Sequence, residues 1–172
     1  MKRIQTFSLL FLAFLFTGIT VNAQDKADRP SPPKTAEASL ASGDVTIDYS
    51  SPAVKERVIW GELVPYGKIW RTGANEATTI MLEKDMKVAG KMIPAGKYAL
   101  FTIPGKDEWT IILNSEWDQW GAYNYDESKD VHRFTVKPTM TDENQERLMF
   151  DVSDDGTVTM MWEKMAVSFE IG

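Results

Sequence analysis

Apolar residues recur along this chain in short runs with a period of two. Val45, Ile47 and Tyr49 alternate with Thr46 and Asp48, the pattern of a strand with one face on a core and the other in water. Ser51-Pro52 closes that run, because proline cannot donate to a ladder. Strands are expected at residues 57–60 and 68–71 around Pro65-Tyr66-Gly67, where the proline and glycine spacing suits a type I turn. Residues 78–83 and 86–89 follow, and residues 90–96, with Pro94 and two glycines, read as a turn into residues 97–104. Leu100, Phe101 and Ile103 are apolar on both faces, which predicts a central strand. Residues 109–113 form a second buried strand, and residues 131–137, 147–152, 157–162 and 165–171 complete the series. Asp155-Gly156 supplies a hairpin turn. The pattern predicts an all-β antiparallel β-sandwich of about ten strands, with jelly-roll-like or barrel-like closure compatible with it. No amphipathic helix is expected beyond brief turns near residues 115–120 or 142–146.

The two ends of the pattern differ from its middle. Lys2 and Arg3 precede an apolar run that fades into Val21-Asn22-Ala23, the form of a signal peptide cleaved near Ala23. Residues 24–42 carry Pro30, Pro32 and Pro33 among Lys, Asp, Ser and Ala, which reads as a flexible linker. Residues 43–172 are expected as a single domain. Export would place the protein in the periplasm or outside the cell, with no membrane span after cleavage. There is no cysteine among the 172 residues, so disulfides and thiolate metal sites are excluded and stability must come from burial. Without Lys2 and Arg3 the 19 basic residues become 17 against 25 acidic ones. That excess argues against nucleic acid, which is bound mainly by neutralising phosphates.

Candidate chemistry is sparse. The chain has no HExxH, Walker loop, GxSxG or GxGxxG, and its single histidine cannot build a histidine-rich metal site. No cofactor or metal is expected. His132 shares an alternating face with Phe134 and Val136, which puts it against the core or at its edge. The stretch from Trp60 to Ile80 concentrates the polar candidates. The Arg71 guanidinium suits a ligand carboxylate or phosphate, and equally suits an ion pair with Glu76. Asn75 fits a positive-φ turn or a ligand-orienting amide. Glu76 is the best-placed carboxylate for acid or base work. Tyr66, Trp70 and Thr72 would frame these groups. A second surface is the connection at residues 114–130, where Trp117, Trp120, Tyr123 and Tyr125 are interleaved with Asn and Asp. Such a mixture can stack on sugar rings or plug the end of a sandwich.

The strings Gly61-Glu-Leu-Val-Pro-Tyr-Gly67, Trp70-Arg-Thr-Gly-Ala-Asn-Glu-Ala-Thr78, Ile93-Pro-Ala-Gly-Lys-Tyr98 and Leu100-Phe-Thr-Ile-Pro104 closely resemble the DUF2911 family, from about Ser51 to the C-terminus. The resemblance implies an exported, β-rich bacterial protein of the kind common in Bacteroidetes. It implies no reaction, cofactor or catalytic residue. Glu56 stands where that family often shows glycine, and His132 falls outside the family's motif. Three readings follow: a non-enzymatic domain binding a small molecule, glycan or envelope partner through Arg71, Asn75 and Glu76; a glycan hydrolase with Glu76 as acid or base; or a purely structural corner.

Overall fold

The structure, a computed structural model, describes residues 28–172; the expected signal peptide lies outside the described residues. Ten strands occur, and no α-helix is found among the described residues. They are β1 (Pro33–Leu40), β2 (Gly43–Ser50), β3 (Thr79–Leu82), β4 (Met86–Val88), β5 (Lys91–Ile93), β6 (Gly96–Ile103), β7 (Trp109–Asn114), β8 (Asp130–Val136), β9 (Thr139–Val152) and β10 (Thr157–Glu170). A six-stranded antiparallel sheet runs β1-β2-β3-β6-β7-β8. Opposite it lies the β9–β10 ribbon, and hydrogen bonds from Lys87 N to Gly172 O and from Ala89 N to Glu170 O dock the β4–β5 hairpin on its end. No closed barrel is found among the described residues.

Alternation decides which face each residue takes. Val45, Ile47, Ile80, Leu82, Leu100, Trp109, Ile111 and Leu113 point to the ribbon and meet Phe150, Val158 and Trp162 in the main core. The tryptophan rings form its centre. Trp70 stacks on Trp162 at 5.9 Å and 17°, while Trp60 meets Trp109 edge-on at 5.0 Å, an arrangement favoured by ring quadrupoles. The opposite face of the central strand β6 carries Ala99 and Phe101, which pack with Ile112 and Ala77 in a smaller cluster. A strand buried on both faces was the expectation from Leu100, Phe101 and Ile103.

Several expectations are corrected. Residues 33–40, expected as linker, form edge strand β1, paired along its length with β2 from Pro33↔Ser50 to Leu40↔Gly43. Its inward residues are Ala36, Ala38 and Leu40, mostly too small to announce a buried face. Residues 57–60 and 68–71 are not strands; Trp60 and Trp70 make only isolated bridges, to Val64 and Thr102. The stretch read as a turn contains β5, because the reversal occurs earlier at Ala89 and Gly90, both at positive φ (45° and 83°), as two-residue hairpin turns of the I′ type require. The last two expected strands are one, β10. Glu163 at φ 55° sits between two register shifts, so a bulge bends the strand without ending it. The brief helical turn falls at Glu127–Lys129 rather than at residues 115–120, and residues 142–146 belong to β9.

Candidate functional site

The Trp70–Thr78 motif is a folded corner in line with β3. Trp70 exchanges backbone hydrogen bonds with Thr102 of β6 at 2.8 and 2.9 Å, and its ring enters the core with its Nε1 donating to Gly73 O at 3.1 Å. Thr72, 1% exposed, holds φ 55° and donates to Thr102 Oγ1 at 3.2 Å. Thr78 Oγ1 donates back to Thr72 O at 2.9 Å. A Cβ on Gly73 would lie 2.9 Å from Thr78 Oγ1 and 3.1 Å from Ser50 O, so glycine is required for close approach. Trp70 and Thr72 are therefore interior, facing the core and not an open surface. Tyr66 lies apart, packed on Gly61, with Gly67 N bonded to Pro104 O.

Arg71 and Glu76 do not pair. Glu76 instead takes Arg29 Nη1 on both oxygens, at 3.0 and 2.9 Å. Arg71 makes no ion pair among the described residues. Its Nε is buried without a partner, and burial lowers its pKa, an effect opposed by nearby Tyr123. Asn75 takes the expected positive φ, 58°, and its amide donates to Ser31 O at 3.1 Å and Ser50 Oγ at 3.2 Å. The second half of the motif thus seats residues 29–32, a strap fixed further by Ser51 N bonding Pro32 O at 2.9 Å and Arg147 Nη1 bonding Pro30 O at 3.3 Å. Glu56 has φ 56°, which explains why glycine suits that position.

The aromatic connection lies over the outer face of the six-stranded sheet. Fully buried Asn114 ties both of its ends, donating to Asp126 O at 2.9 Å and Asp130 Oδ1 at 2.8 Å and accepting from Glu116 N at 2.9 Å. Tyr125 packs edge-on against Phe101 at 5.2 Å and donates to Asp130 Oδ2 at 2.8 Å. Its pKa is raised to about 12, first by burial and then by that hydrogen bond. Tyr125 is thus a plug, while Trp117, Trp120 and Tyr123 remain exposed. His132 is remote from this surface. It sits on β8 opposite Leu113, beside Phe134 at 4.9 Å, with Nε2 buried and unpartnered; burial first, then the Lys91 charge, lowers its pKa.

The two candidate surfaces meet. Glu76 bridges Trp120, Ala77 N bonds Gln119 O at 3.0 Å, and Gly121 N bonds Asn75 O at 3.0 Å. Where the aromatic loop stops short of covering β2 and β3, an open cleft of about 340 Å³ remains. Its floor includes Asp48, Thr79 and Lys97, and its walls include Glu76, Trp117 and Gln119. Lys97 Nζ lies 3.4 Å from Asp48 Oδ2 and 5.1 Å from the Trp117 ring centroid. Arg29 lies 5.9 Å from that of Trp120. Each cation is held between a carboxylate and an indole, which is the favourable geometry for both. Gln119, 8% exposed, lines the cleft with its Oε1 buried and without a donor. Arg29, Asp48 and Lys97 escaped the sequence reading because their partners lie 47 or 49 positions away. The one available signal was alternation, which puts Asp48 on the outward face of β2. No group of side chains suited to a metal ion occurs among the described residues.

Fold and cleft together define an antiparallel β-sandwich with a polar, tryptophan-walled cleft on the outer face of its larger sheet. A family model described as "Protein of unknown function (DUF2911)" matches residues 31–171, and the chain belongs to this family. The match begins before Ser51, at the strap and β1. Comparison with curated proteins and with solved structures returns no match.

Proposed function

We propose that this is an exported, non-enzymatic binding domain that holds a saccharide in the cleft over β2, β3 and β6. The observation that carries the reading is the juxtaposition of exposed Trp117 with a dense set of hydrogen-bonding side chains on a rigid sheet. Sugars present an apolar ring face and a rim of hydroxyls, and a site for them needs an aromatic platform beside mixed donors and acceptors. Asp48, Thr79, Lys97 and the unpartnered Gln119 Oε1 supply that mixture. Glu76 supports binding better than hydrolysis, since Arg29 engages both of its oxygens and a general acid or base needs one free to reach the substrate. Export rests on the leader pattern of residues 1–23.

Glycan-array screening followed by thermal-shift titration tests the proposal. A saccharide should raise the melting temperature of the protein, and Trp117→Ala, at an exposed position, should abolish that rise while leaving the unliganded melting temperature within about 2 °C. A broad array without a single binder, or full binding by Trp117→Ala, would sink the reading. Release of reducing ends from a bound glycan would transfer the site to the hydrolase class.

A further inference from the structure

We propose that the saccharide recognised by the cleft is acidic, carrying a carboxylate on its sugar, and that Arg29, Lys34 and Lys97 form its anion-binding set. The inference rests on the saccharide-binding reading above and adds the ligand's charge. All three cations line the cleft, and all three retain unused donors. Arg29 has five N–H groups, but both of its contacts to Glu76 run through Nη1. Its Nε and Nη2 make no hydrogen bond among the described residues, leaving a two-donor edge of the kind that takes a carboxylate in bidentate fashion. Among the described residues Lys97 makes one long hydrogen bond, 3.4 Å to Asp48, and Lys34 makes none.

The carboxylates are differently placed. Glu76 is occupied by Arg29, and Asp48 accepts from Thr35 Oγ1 at 2.9 Å as well as from Lys97. Asp118 is the one lining carboxylate without a hydrogen bond or ion pair among the described residues. Donors therefore outnumber free acceptors, and the engaged acids orient the cations. Trp120 and Trp117 hold Arg29 and Lys97 from their ring faces, so two of the three cations are ordered before a ligand arrives, which lowers the entropic cost of binding. A lone inorganic anion would fill little of the roughly 340 Å³ available. A uronic acid residue with its neighbours has the size, the ring face and the charge. The protein's overall acidity acts weakly at this site, because charges beyond about 8 Å are screened at physiological salt.

Calorimetric titration of the protein with an oligogalacturonate, the neutral galactose oligomer of equal length, and inorganic phosphate decides the matter. The acidic oligomer should bind at least about tenfold tighter than the neutral one, as one or more charge-assisted hydrogen bonds imply, and the advantage should shrink as salt rises. Arg29→Gln should erase most of it. Lys34→Gln, on the exposed edge strand, should reduce it about threefold or more without touching the strap. Equal binding of acidic and neutral oligomers overturns this inference and leaves the saccharide reading standing. Phosphate binding as tight as the uronate overturns it as well, since the sugar would then contribute nothing. Failure of every sugar removes the parent reading and this one with it.

Discussion

Arg71 is a half-buried cation whose Nε is buried and meets no acceptor among the described residues. Burying a polar N–H unpaired costs about 1–3 kcal/mol, and replacing such a group by an apolar one of similar shape is often neutral or stabilising. Arg71→Met should therefore leave the unfolding free energy within about 0.5 kcal/mol of wild type, or raise it. Urea denaturation checks this, and a loss above about 2 kcal/mol would reveal a structural ion pair. Sequence proximity suggested that Arg71 and Glu76 hold each other, but the corner between them turns the two side chains to different neighbours. Thr72 and Asn75, both at positive φ, reverse the backbone on either side of Gly73. Asn75 was readable because asparagine tolerates that conformation. Thr72 was not, since a β-branched residue there is held through contacts of its hydroxyl to Trp70 O and Thr102 Oγ1 and of its carbonyl to Thr78 Oγ1, and Thr102 is remote in sequence.

At the scale of elements, the aromatic connection is the piece whose attachment decides whether the cleft exists. Asn114 and Tyr125 pin it to β7 and β8, and Arg133 Nη2 donates to the Tyr125 hydroxyl at 2.8 Å. Tyr125 keeps its proton to about pH 12 in the folded loop, whereas the unfolded phenol loses it near pH 10. Between those values the folded state binds more protons, so the stability that Tyr125 contributes is complete below pH 10 and is lost as pH rises toward 12. Tyr125→Phe should cost about 1 kcal/mol at pH 8 by removing the hydroxyl's hydrogen bonds, and the gap to wild type should close above pH 11. The comparison isolates this residue, because Tyr49 and Tyr98, also raised mainly by burial, are common to both proteins. A gap that stays constant from pH 8 to 11 would show that the hydroxyl is not held in the loop. The length and aromatic content of this connection marked it as unusual, alternation marked β2, and continuous apolar runs marked β6 and β7. What periodicity could not show was that the loop folds back over Phe101 and Ile112. That placement depends on β6 being central, and only pairing fixes it.

For the whole molecule, the decisive addition is the segment before Gly43. The strap places Arg29 in the cleft, and β1 covers the edge of β2 while Ala36, Ala38 and Leu40 lean on the main core. Proline-rich composition with small side chains resembles a tether because its apolar area per residue is low. Eight paired residues in register stabilise it collectively, through ladder hydrogen bonds that no hydrophobic pattern records. A chain beginning at Gly43 should consequently behave as a damaged sheet. It would expose the backbone of β2 as a new edge, a template for association, and it would lose Ser51's bond to Pro32 together with the Arg29–Glu76 pair. Compared with residues 28–172, residues 43–172 should lose at least about 3 kcal/mol of stability and associate at micromolar concentration. Denaturation curves followed by the fluorescence of the core tryptophans and sedimentation velocity read the two effects separately. If residues 43–172 prove monomeric and equally stable, β1 and the strap are appendages, and Arg29 cannot be a fixed wall of the cleft.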